Sequence, residues 1–476
     1  MTAEKDAYTE ERRTHWDAIA LEMGRGSEWG RFYHQRVMKI FQTVVLPGQR
    51  IIEFGCAYAE LLAALEPSVG VGVDFSSEMI KVASDRHPEL QFVNGDVHEL
   101  DIKETFDVII LSDLVNDLWD VQQVFETAAA VAEPHTRLII NTYSRLWELP
   151  LALTERLHLA RPTLYQNWLT VEDITNLLRL TNFQAIRHWT EILCPLNIPV
   201  LQPLLNRFLV KLWPFRLGGL SNFVMARPVP QENPGKKQPL VSVIVPARNE
   251  AGNIEQIFER VPEMGGGTEL VFVEGHSTDN TYEVIEKAMN SGSHRKCKLF
   301  RQSGSGKGDA VRLGFAQAEG EILMILDADL TVPPEDLPRF YEALVTGRGE
   351  FINGVRLVYP MQDRAMRFPN LVGNKLFSLA FCWTLGQPVK DTLCGTKVLW
   401  KAQYEIIAAN RSYFGYLDPF GDFDLILGAA RLNLHILDLP IRYRERRYGA
   451  TNIQRWRHGL LLLRMALVSA LRLKFV

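Results

Sequence analysis

Two carboxylates stand directly after an apolar run in the second half of the chain. The run 321–326 reads EILMIL, and Asp327, Ala328 and Asp329 follow it. Such a run predicts a buried strand, and side chains two residues apart on a strand point to the same side. Two like charges this close repel each other unless a cation lies between them, and Mg²⁺ or Mn²⁺ prefers oxygen ligands of this kind. The spacing therefore predicts a divalent-metal site at Asp327 and Asp329, with an ordinary surface pair as the alternative.

Three further turns carry polar residues after apolar runs. Residues 247–250 read ARNE and open a helical pattern, and residues 274–281 read EGHSTDNT, in which Ser277 or Thr278 can cap a helix. Residues 304–310 read GSGKGDA, a flexible turn that carries a cation in front of another helix. Because helix N-termini favour anions, these turns predict a pocket for a phosphate-bearing ligand.

The glycine-rich turn does not match a P-loop. Gly308 stands where Ser or Thr should bind Mg²⁺, and Arg301 stands where the first glycine of that motif belongs. The turn therefore argues against nucleoside-triphosphate hydrolysis.

The first half of the chain carries a second turn of small residues after a strand-like run. Residues 53–59 read EFGCAYA, and Asp74 ends the next apolar run about 20 residues later. Small residues let a backbone approach a ligand closely, and an acid at this distance can accept hydrogen bonds from ribose hydroxyls. In open α/β folds, ligands bind at the carboxyl ends of the strands. The first half therefore predicts a second nucleotide-type site.

Short, β-branched, nearly continuous apolar runs alternate with helical patterns on both sides of one linker, which is typical of open α/β sheets. The linker, residues 228–239, is rich in Pro, Gly, Gln and Lys. The predicted organisation is a helical cap at 1–45, an α/β domain at 46–227, the linker, a second α/β domain at 240–455 and a helix at 456–476. Strands are predicted at 50–54, 69–74, 90–94, 106–112 and 137–142, with a candidate antiparallel edge at 182–189 and 220–227, and again at 240–246, 269–274, 298–300 and 321–327.

Length, charge and cysteine content exclude several classes of protein. The 476 residues suffice for two to three domains, and a net charge of -4 is too small to indicate a nucleic-acid partner. The five cysteines are odd in number, far apart and without metal-ligand spacing, which indicates reduced thiols in a cytosol. The first residues are polar and lack the apolar core of a signal peptide, and no segment reaches the ~20 apolar residues that span a bilayer.

The C-terminal segment predicts contact with a membrane surface. From Ile441 onward it holds nine Lys or Arg residues and one acid, Glu445. Arg457, Arg464 and Arg472 recur at spacings that share one helix face, between apolar runs. A basic amphipathic helix of this type lies in a membrane interface, and the apolar run 368–385 adds a second such stretch. The alternatives are a buried core helix or a dimer contact. With reduced thiols, these features predict a cytoplasmic protein held peripherally at the cytoplasmic face of a membrane.

The elements after the linker, in their order, resemble family 2 glycosyltransferases of the GT-A nucleotide-sugar-binding fold over residues 240–455. The resemblance is strongest to the branch that includes dolichol-phosphate mannose synthase and bacterial polyprenyl-phosphate sugar transferases. It implies a nucleotide-sugar donor and a lipid phosphate acceptor. It also implies that the first strand and the acid of the second strand hold the nucleotide, at Pro246, Ala247, Asn249, Glu250 and Glu274.

The same resemblance implies roles for basic residues at the phosphates. The lysine and arginine of the family's G-K-G-x-A-x-R motif fall on Lys307 and Arg312. Asn353 to Arg356 resembles its G-S-R segment, in which the arginine faces phosphate. Residues 446–452 resemble its donor-phosphate loop, which Arg446 opens and in which Asn452 replaces a lysine.

Two other segments resemble the acceptor side of that family. Asp391 to Lys397 resembles the D-x-x-C-G-x-K acceptor loop, and residues 418–424 lie where many relatives carry their base, at Asp422 or Asp424. This chain departs from the pattern at Thr331, where lipid-phosphate members carry a glutamine beside the metal. The second-strand motif also departs from the family's D-D-G-S-x-D, so the nucleobase stays open.

The domain before the linker resembles the class I S-adenosylmethionine-dependent methyltransferases, which have a Rossmann-like fold. The resemblance implies S-adenosylmethionine as cofactor. It places the family's glycine-rich turn on residues 53–59, with Ala57 and Ala59 replacing two glycines. The cofactor-binding residues that it implies are Glu53, Gly55, Ala57, the ribose-binding acid Asp74, the adenine-contacting acid Asp96 and Ser112, which lines the active site with Asp113. An active methyltransferase and an inert docking or ligand-sensing domain both stay open.

The resemblance to glycosyltransferases predicts single-displacement transfer with inversion. The metal at Asp327 and Asp329 would neutralise charge on the leaving nucleotide, with Lys307, Arg356 and Arg446 around the phosphates. A lipid phosphate is already an anionic nucleophile at neutral pH, because its second pKa lies near 6. A sugar hydroxyl would need a base, for which Asp422 or Asp424 is the candidate.

Overall fold

The computed structural model describes residues 2–22, 28–156, 164–230, 238–291, 295–359, 368–413, 418, 421–446, 448 and 455–475. Residues 231–237 of the predicted linker, Pro419, Phe420 and most of the segment 447–452 lie outside the described residues. The chain divides into two compact units, one formed by residues 1–229 with 475–476 and the other by residues 230–474.

The first unit is built on a seven-stranded sheet with the order β3-β2-β1-β4-β5-β7-β6. Strands β1 to β5 are parallel, and β7 runs antiparallel between β5 and β6. The predicted parallel strands and the antiparallel edge are therefore confirmed. The strands are β1 (Arg50–Phe54), β2 (Val69–Asp74), β3 (Gln91–Asn94), β4 (Phe106–Ser112), β5 (Ala132–Tyr143), β6 (Phe183–Glu191) and β7 (Ser221–Pro228).

Both faces of this sheet are covered, which explains why its strands are apolar almost throughout. Side chains alternate between two cores, with Ile109 and Leu111 facing one and Val108 and Ile110 facing the other. The helices of this unit are α1 (Thr2–Glu22), α2 (Glu28–Val44), α3 (Glu60–Ala64), α4 (Ser77–Arg86), α5 (Val121–Ala130), α6 (Glu148–Arg156), α7 (Val171–Leu180) and the short α8 (Leu201–Pro203).

The second unit is built on another seven-stranded sheet, with the order β10-β9-β8-β11-β13-β12-β14. Strands β8 to β11 are parallel, β12 is parallel to β14, and β13 runs antiparallel between β11 and β12. The first four of these strands were predicted and are confirmed. The strands are β8 (Val241–Ala247), β9 (Thr268–Glu274), β10 (Cys297–Arg301), β11 (Ile322–Ile325), β12 (Phe351–Val355), β13 (Lys397–Trp400) and β14 (Ile436–Pro440).

Helices pack on both faces of this second sheet over two separate apolar cores. The helices are α9 (Ile254–Arg260), α10 (Thr281–Asn290), α11 (Lys307–Gln317), α12 (Leu337–Val345), α13 (Phe368–Leu385), α14 (Lys401–Ala409), α15 (Asp422–Arg431) and α16 (Arg455–Ser469), which a π-helical turn (Ala470–Lys474) continues. The two units thus have the α/β architectures that the sequence predicts.

Within the described part of the chain, we find no helix whose length and apolar character would let it cross a membrane.

Candidate functional site

The polar turns of the second unit meet at the carboxyl edge of its parallel strands. Ala247 at the end of β8 pairs with Glu274 at the end of β9, and Ile325 at the end of β11 pairs with Ile244 of β8. Asp327 and Asp329 follow β11 immediately, and α11 begins at Lys307 after β10. Topology therefore brings four separate sequence segments to one place.

Asp327 forms an ion pair with Lys307, whose ammonium nitrogen lies 2.6 Å from Asp327 Oδ1. Burial alone would lower the pKa of Lys307, but the carboxylates of Asp327 and Asp422 hold it above its ordinary value. The pKa of Asp327 is correspondingly lowered by Lys307, although burial alone would raise it. Gly395 lies against this pair, because a Cβ there would overlap both Asp327 and Lys307. Both side chains are therefore charged at neutral pH and closely confined.

Asp329 is held by two different donors. Its Oδ1 accepts hydrogen bonds from the backbone N–H and the hydroxyl of Thr331, at 3.1 and 2.8 Å. Its Oδ2 accepts one from the guanidinium of Arg446 at 2.6 Å, and Arg446 also donates to Glu250 at 3.2 Å. Burial raises the pKa of Glu250 to about 7, although the charge of Arg446 opposes that rise. Arg446 thus links the ends of β8 and β11.

The turns after β8 and β9 fasten each other. Asn249 has a φ of +57°. Its side-chain Oδ1 accepts a hydrogen bond from the backbone N–H of Thr278 at 2.7 Å, and its backbone N–H donates one to the Ser277 hydroxyl at 3.0 Å. Glu274 is buried and accepts the backbone N–H of Ser277 at 2.5 Å. The predicted nucleotide-binding residues after Pro246 and Ala247 therefore form one preorganised surface.

A second set of ion pairs lies beside Lys307. Arg356 donates two hydrogen bonds to Asp391, at 2.7 and 2.9 Å. Burial alone would raise the pKa of Asp391, but Arg356 lowers it to about 2. Lys397 is fully buried, donates to the carbonyl of Cys394, and lies 3.4 Å from Asp422.

Gly421 places Asp422 against the start of α11. Its φ is +78°, and a Cβ there would lie 2.9 Å from the Cα of Gly308. Asp422 is 4% exposed, and its Oδ1 has no hydrogen-bond partner among the described residues. Its carboxylate therefore lies beside Lys307 and Lys397 with hydrogen-bonding capacity unused.

Asp424 and Arg312 lie in a different ion pair. The Arg312 guanidinium is 3.6 Å from Asp424, and that of Arg411 is 3.4 Å from it. Burial and the charge of Asp418 raise the pKa of Asp424 to about 6. The structure thus brings Asp422 beside Lys307 and Lys397, and these three residues with Asp327 form the Asp327 cluster. Asp424 and Arg312 instead form an ion pair with each other.

Sequence reasoning did not single out several residues of this site. The segment that resembles the acceptor loop contains Asp391, Gly395 and Lys397, but the sequence assigned none of them an individual role. The glycine in that motif was a usable signal, because glycine marks close approach. Arg411 carried no local signal, since only the fold brings α14 and its following turn to α15.

In the first unit, the turn after β1 takes the backbone shape that glycine usually supplies. Ala57 and Ala59 have φ of +46° and +57°, and Gly55 has +70°. Asp74 accepts hydrogen bonds from the backbone N–H groups of Ala57 and Ser76, both at 2.9 Å. Alanine pays a steric cost in this region, so the surrounding contacts must hold the turn in place.

The pKa values of two acids in this unit are shifted in opposite directions. Glu53 is 3% exposed, and its burial raises its pKa to about 8. Asp96 lies 2.5 Å from the Nδ1 of His98; burial alone would raise its pKa, but the bonds from His98 lower it. At neutral pH Glu53 is therefore largely protonated and Asp96 ionised.

A polar cluster follows β4 and β5. Ser112 ends β4 opposite Asn141, and Asp113 follows with φ of +55°. Asp113 Oδ1 accepts hydrogen bonds from the Tyr33 hydroxyl at 2.8 Å and the Asn141 amide at 2.6 Å. Burial raises the pKa of Asp113 to about 7. Tyr33 and Asn141 were not predicted, because they come from α2 and β5 and carry no motif.

The donor atoms in the second unit suit a hard cation that a phosphate ligand also binds. Among the described residues, no group of three or more His, Cys, Asp or Glu side chains is arranged to hold a metal ion. Magnesium at phosphate sites commonly takes only one or two protein carboxylates and completes its shell with phosphate and water. Asp327 and Asp329 fit that requirement.

Comparison with known proteins matches one region in each half of the chain to a family. The model of "Glycosyl transferase family 2" matches residues 242–397, and that of "Methyltransferase domain" matches residues 46–186. An undecaprenyl-phosphate 4-deoxy-4-formamido-L-arabinose transferase of Pseudomonas aeruginosa is 27% identical over 44% of this chain and 59% of its own length. A dolichol-phosphate mannosyltransferase of Saccharomyces cerevisiae is 38% identical over 22% of this chain and 40% of its own.

A third relative, glycosyltransferase AglJ of Haloferax volcanii, is 29% identical over 46% of this chain and 68% of its own length. The chain thus spans 59% and 40% of the first two relatives that it matches. The two matched regions lie in different structural units, one on each side of the linker. A region in the C-terminal half of the chain therefore matches glycosyl transferase family 2, and a region in its N-terminal half matches a methyltransferase domain.

Proposed function

We propose that the second unit transfers a sugar from a nucleotide-sugar donor to a polyprenyl phosphate, with inversion. The observation that carries this proposal is the pair of acids after β11, Asp327 and Asp329, surrounded by the cations Lys307, Arg356 and Arg446. Two of the relatives are named for undecaprenyl phosphate and dolichol phosphate, which supports a lipid phosphate as acceptor.

Each part of the donor has candidate partners in this site. The turns at Asn249 and Glu274 would bind the nucleoside, after Pro246 and Ala247. Lys307, Arg356 and Arg446 would bind the diphosphate, to which basic side chains donate strong, charge-assisted hydrogen bonds. Asp329 and Asp327 would hold Mg²⁺ or Mn²⁺, which when bound neutralises charge on the leaving nucleotide. Arg312 would act less directly, because it is paired with Asp424.

The acceptor decides what Asp422 does. A phosphate needs no base, because it is an anion at neutral pH. Asp422 would then position Lys397, which lies 3.4 Å away, and Lys397 would attract the acceptor phosphate. A hydroxyl acceptor would instead need Asp422 to remove a proton, and this stays the alternative.

The test offers the full-length protein several nucleotide-sugars with polyprenyl phosphate, detergent and Mn²⁺, and measures labelled product extracted into organic solvent. We expect product with one donor, and a loss of at least about 100-fold in Asp329→Asn, the size of effect seen when one transition-state partner is removed. Transfer that persists in the double variant Asp327→Asn with Asp329→Asn would overturn the proposal.

Asp422→Asn separates the two acceptors in the same assay. With a lipid phosphate acceptor we expect a loss of about tenfold or less, because only the position of Lys397 changes. A near-complete loss that exceeds about 1,000-fold would indicate a hydroxyl acceptor and a catalytic base. Asp424→Asn is the matched control, since its ion pairs with Arg312 and Arg411 lie outside the Asp327 cluster.

We also propose that this unit binds the cytoplasmic face of a membrane peripherally. The side chain of Arg457 lies outside the described residues, but α16 and the π-helical turn that continues it expose four leucines at spacings of three and four, and α13 exposes two more beside them. Arg464 and Arg472 are exposed among them. This surface supports the predicted interfacial helix. The exposed leucines are Leu376, Leu379, Leu460, Leu463, Leu467 and Leu471.

A second activity is proposed for the first unit, which is methyl transfer from S-adenosylmethionine. The glycine-like shape of the turn Gly55–Ala59 supports cofactor binding, for which Asp74 and Asp96 would contact the nucleoside, and Glu53, buried at the end of β1, lies next to the turn in sequence. Ser112 and Asp113 would face the methyl acceptor. The alternative is an inert docking or ligand-sensing domain.

Calorimetric titration of the full-length protein with S-adenosylhomocysteine tests cofactor binding without a known acceptor. We expect saturable heat in the wild type. Asp74→Asn should weaken the affinity for S-adenosylhomocysteine at least about tenfold, because a charge-assisted hydrogen bond is lost. No heat at all would favour the inert domain.

A further inference from the structure

The connection between β6 and β7, residues 192–220, presents an apolar surface in the first unit. Ten of its large apolar side chains are more than a third exposed, and Val200 and Trp213 reach 82% and 74%. Exposed apolar patches of this kind mark interaction sites. Representative members are Val200, Leu204, Phe208, Trp213, Phe215 and Leu217.

The same connection buries polar side chains. Asn206 is 1% exposed; its Oδ1 accepts the backbone N–H groups of Leu193 and Cys194 at 2.9 Å, and its amide donates to the Cys194 carbonyl at 2.7 Å. Lys211 is 8% exposed and pairs with buried Glu191. The connection is therefore a folded piece whose buried polar groups are hydrogen-bonded or paired, while ten large apolar side chains stay exposed to water.

Charge indicates which apolar partner this surface fits. From Ile192 to Gln231 the sequence contains no Asp or Glu. Arg207 and Arg216 are exposed among the apolar side chains. Basic residues interleaved with Trp, Phe and Leu are typical of segments that lie in the headgroup region of an anionic bilayer. A protein partner matched to this surface would need to be both apolar and acidic.

The topology puts this surface beside the polar cluster of the first unit. Glu191 at the end of β6 pairs with Ser221 at the start of β7, and Ser221 pairs with Tyr143 at the end of β5. The Ser221 hydroxyl lies 2.9 Å from that of Tyr33, which in turn donates to Asp113. The connection thus leaves the sheet at the edge where Asp113 lies.

We propose that the β6–β7 connection inserts into the interfacial layer of an anionic lipid bilayer and brings the polar cluster at Asp113 to a substrate carried in that bilayer. The connection belongs to the first unit, whereas α16 belongs to the second. The assignment of the connection as a lipid contact stands on exposure and charge alone, whereas the lipid-borne substrate rests on the proposed methyl transfer.

Flotation of the full-length protein tests the contact, with vesicles of phosphatidylcholine that do or do not contain phosphatidylglycerol. Four proteins are compared: the wild type, Trp213→Ser with Phe215→Ser, Leu463→Ser with Leu467→Ser in α16, and all four substitutions together. We expect the connection variant to weaken partitioning into phosphatidylglycerol vesicles about tenfold or more, since two large side chains leave the lipid. We expect the combined variant to be weaker than either.

Leu180→Ser is the matched control. Leu180 is 59% exposed, but it is the last residue of α7 and lies close in sequence to Phe183, where β6 begins. The β6–β7 connection leaves from the other end of β6, after Glu191. It should float like the wild type, and circular dichroism should show the same fold for all variants. Unchanged flotation of the Trp213 and Phe215 variant, in either the wild-type or the α16-variant background, would overturn the proposal.

A second copy of the chain is the competing occupant, and light scattering separates it. A dimer that the Trp213 and Phe215 substitutions dissociate, without any effect on flotation, would replace the lipid assignment. Sugar transfer in detergent should be unaffected by these substitutions. The two proposals therefore fail independently: loss of flotation leaves sugar transfer intact, and absence of sugar transfer leaves flotation intact.

Discussion

Glu53 shows how one side chain can couple stability to pH. It lies 3% exposed at the end of β1, one of its oxygens has no hydrogen-bond partner among the described residues, and burial raises its pKa to about 8. In the unfolded chain the same carboxyl ionises near its ordinary value of 4.5. Folding therefore binds a proton between these two values. The stability that the buried neutral form contributes is complete at low pH and is lost as pH rises from about 4.5 to about 8.

Glu53→Gln should remove that pH dependence, because glutamine stays neutral. At pH 8 we expect the free energy of unfolding of the variant to exceed that of the wild type by about 2–4 kcal/mol, and at pH 5 we expect the two to differ little. Urea unfolding at the two pH values measures this. The exposed residue Glu126 provides the control: Glu126→Gln should change neither value. Equal stability of Glu53→Gln and the wild type at pH 8 would contradict the account.

Residue types alone predicted much of the proposed sugar-transfer site. Asp327, Asp329 and Lys307 were expected to lie together, and they do, with Asp327 paired to Lys307. The sequence could not assign Arg446 to Asp329 and Glu250, because 117 and 196 residues separate these partners. Nor could the sequence separate the roles of Asp422 and Asp424. These acids lie two residues apart in the first turn of α15, but Asp422 contacts Lys397 whereas Asp424 contacts Arg312.

At the scale of elements, one glycine holds the loop before β13 against the acids. A Cβ at Gly395 would overlap both Asp327 and Lys307. The loop therefore approaches the ion pair as closely as backbone alone permits. A single methyl group should move the pair without disturbing the apolar cores of the sheet.

Gly395→Ala should accordingly reduce sugar transfer at least about 100-fold, since displaced catalytic groups lose transition-state contacts. Its melting temperature should stay within a few degrees of the wild type, because the displaced groups are side-chain ends. Gly459→Ala is the control, as nothing lies within 4 Å of a Cβ there. Sugar transfer at the wild-type rate by Gly395→Ala would show that the loop moves to accommodate a Cβ without displacing Asp327 and Lys307, which would contradict this prediction.

In the second unit, an almost continuous apolar run was the signal that identified the central strands. The strands β8, β9 and β11 were predicted because their residues are almost all apolar. Strands β12, β13 and β14 were not, since each carries polar residues that serve the site or pair nearby. Asn353 in β12, for example, donates to Asp438 in β14 at 2.8 Å and is fully buried. Tertiary pairing, which short sequence windows cannot report, forms these strands.

At the scale of the whole molecule, each unit has its own sheet and its own pair of cores. A unit with a complete core can fold alone. We therefore expect a fragment that begins at residue 238 to retain sugar transfer, and a fragment that ends at residue 230 to retain S-adenosylhomocysteine binding.

Calorimetry of both fragments and of the full chain checks this expectation. The full chain should show two transitions whose midpoints match those of the fragments within a few degrees. A fragment that shows no cooperative transition would mean that its unit needs the other to fold. The boundary itself, predicted from the composition of residues 228–239, would then need to be moved.

The acids of the proposed sugar-transfer site already have basic neighbours before any substrate arrives. Lys307, Arg356, Lys397 and Arg446 lie within 3.4 Å of Asp327, Asp391, Asp422 and Asp329 respectively. Such internal neutralisation lets the chain fold without metal, so a chelator should stop catalysis without melting the protein. It also means that neither a bare divalent ion nor a bare diphosphate meets a strong net field. The two together carry little net charge: Asp327 and Asp329 would hold the ion, and Lys307 and Arg446 would then donate hydrogen bonds to the phosphates.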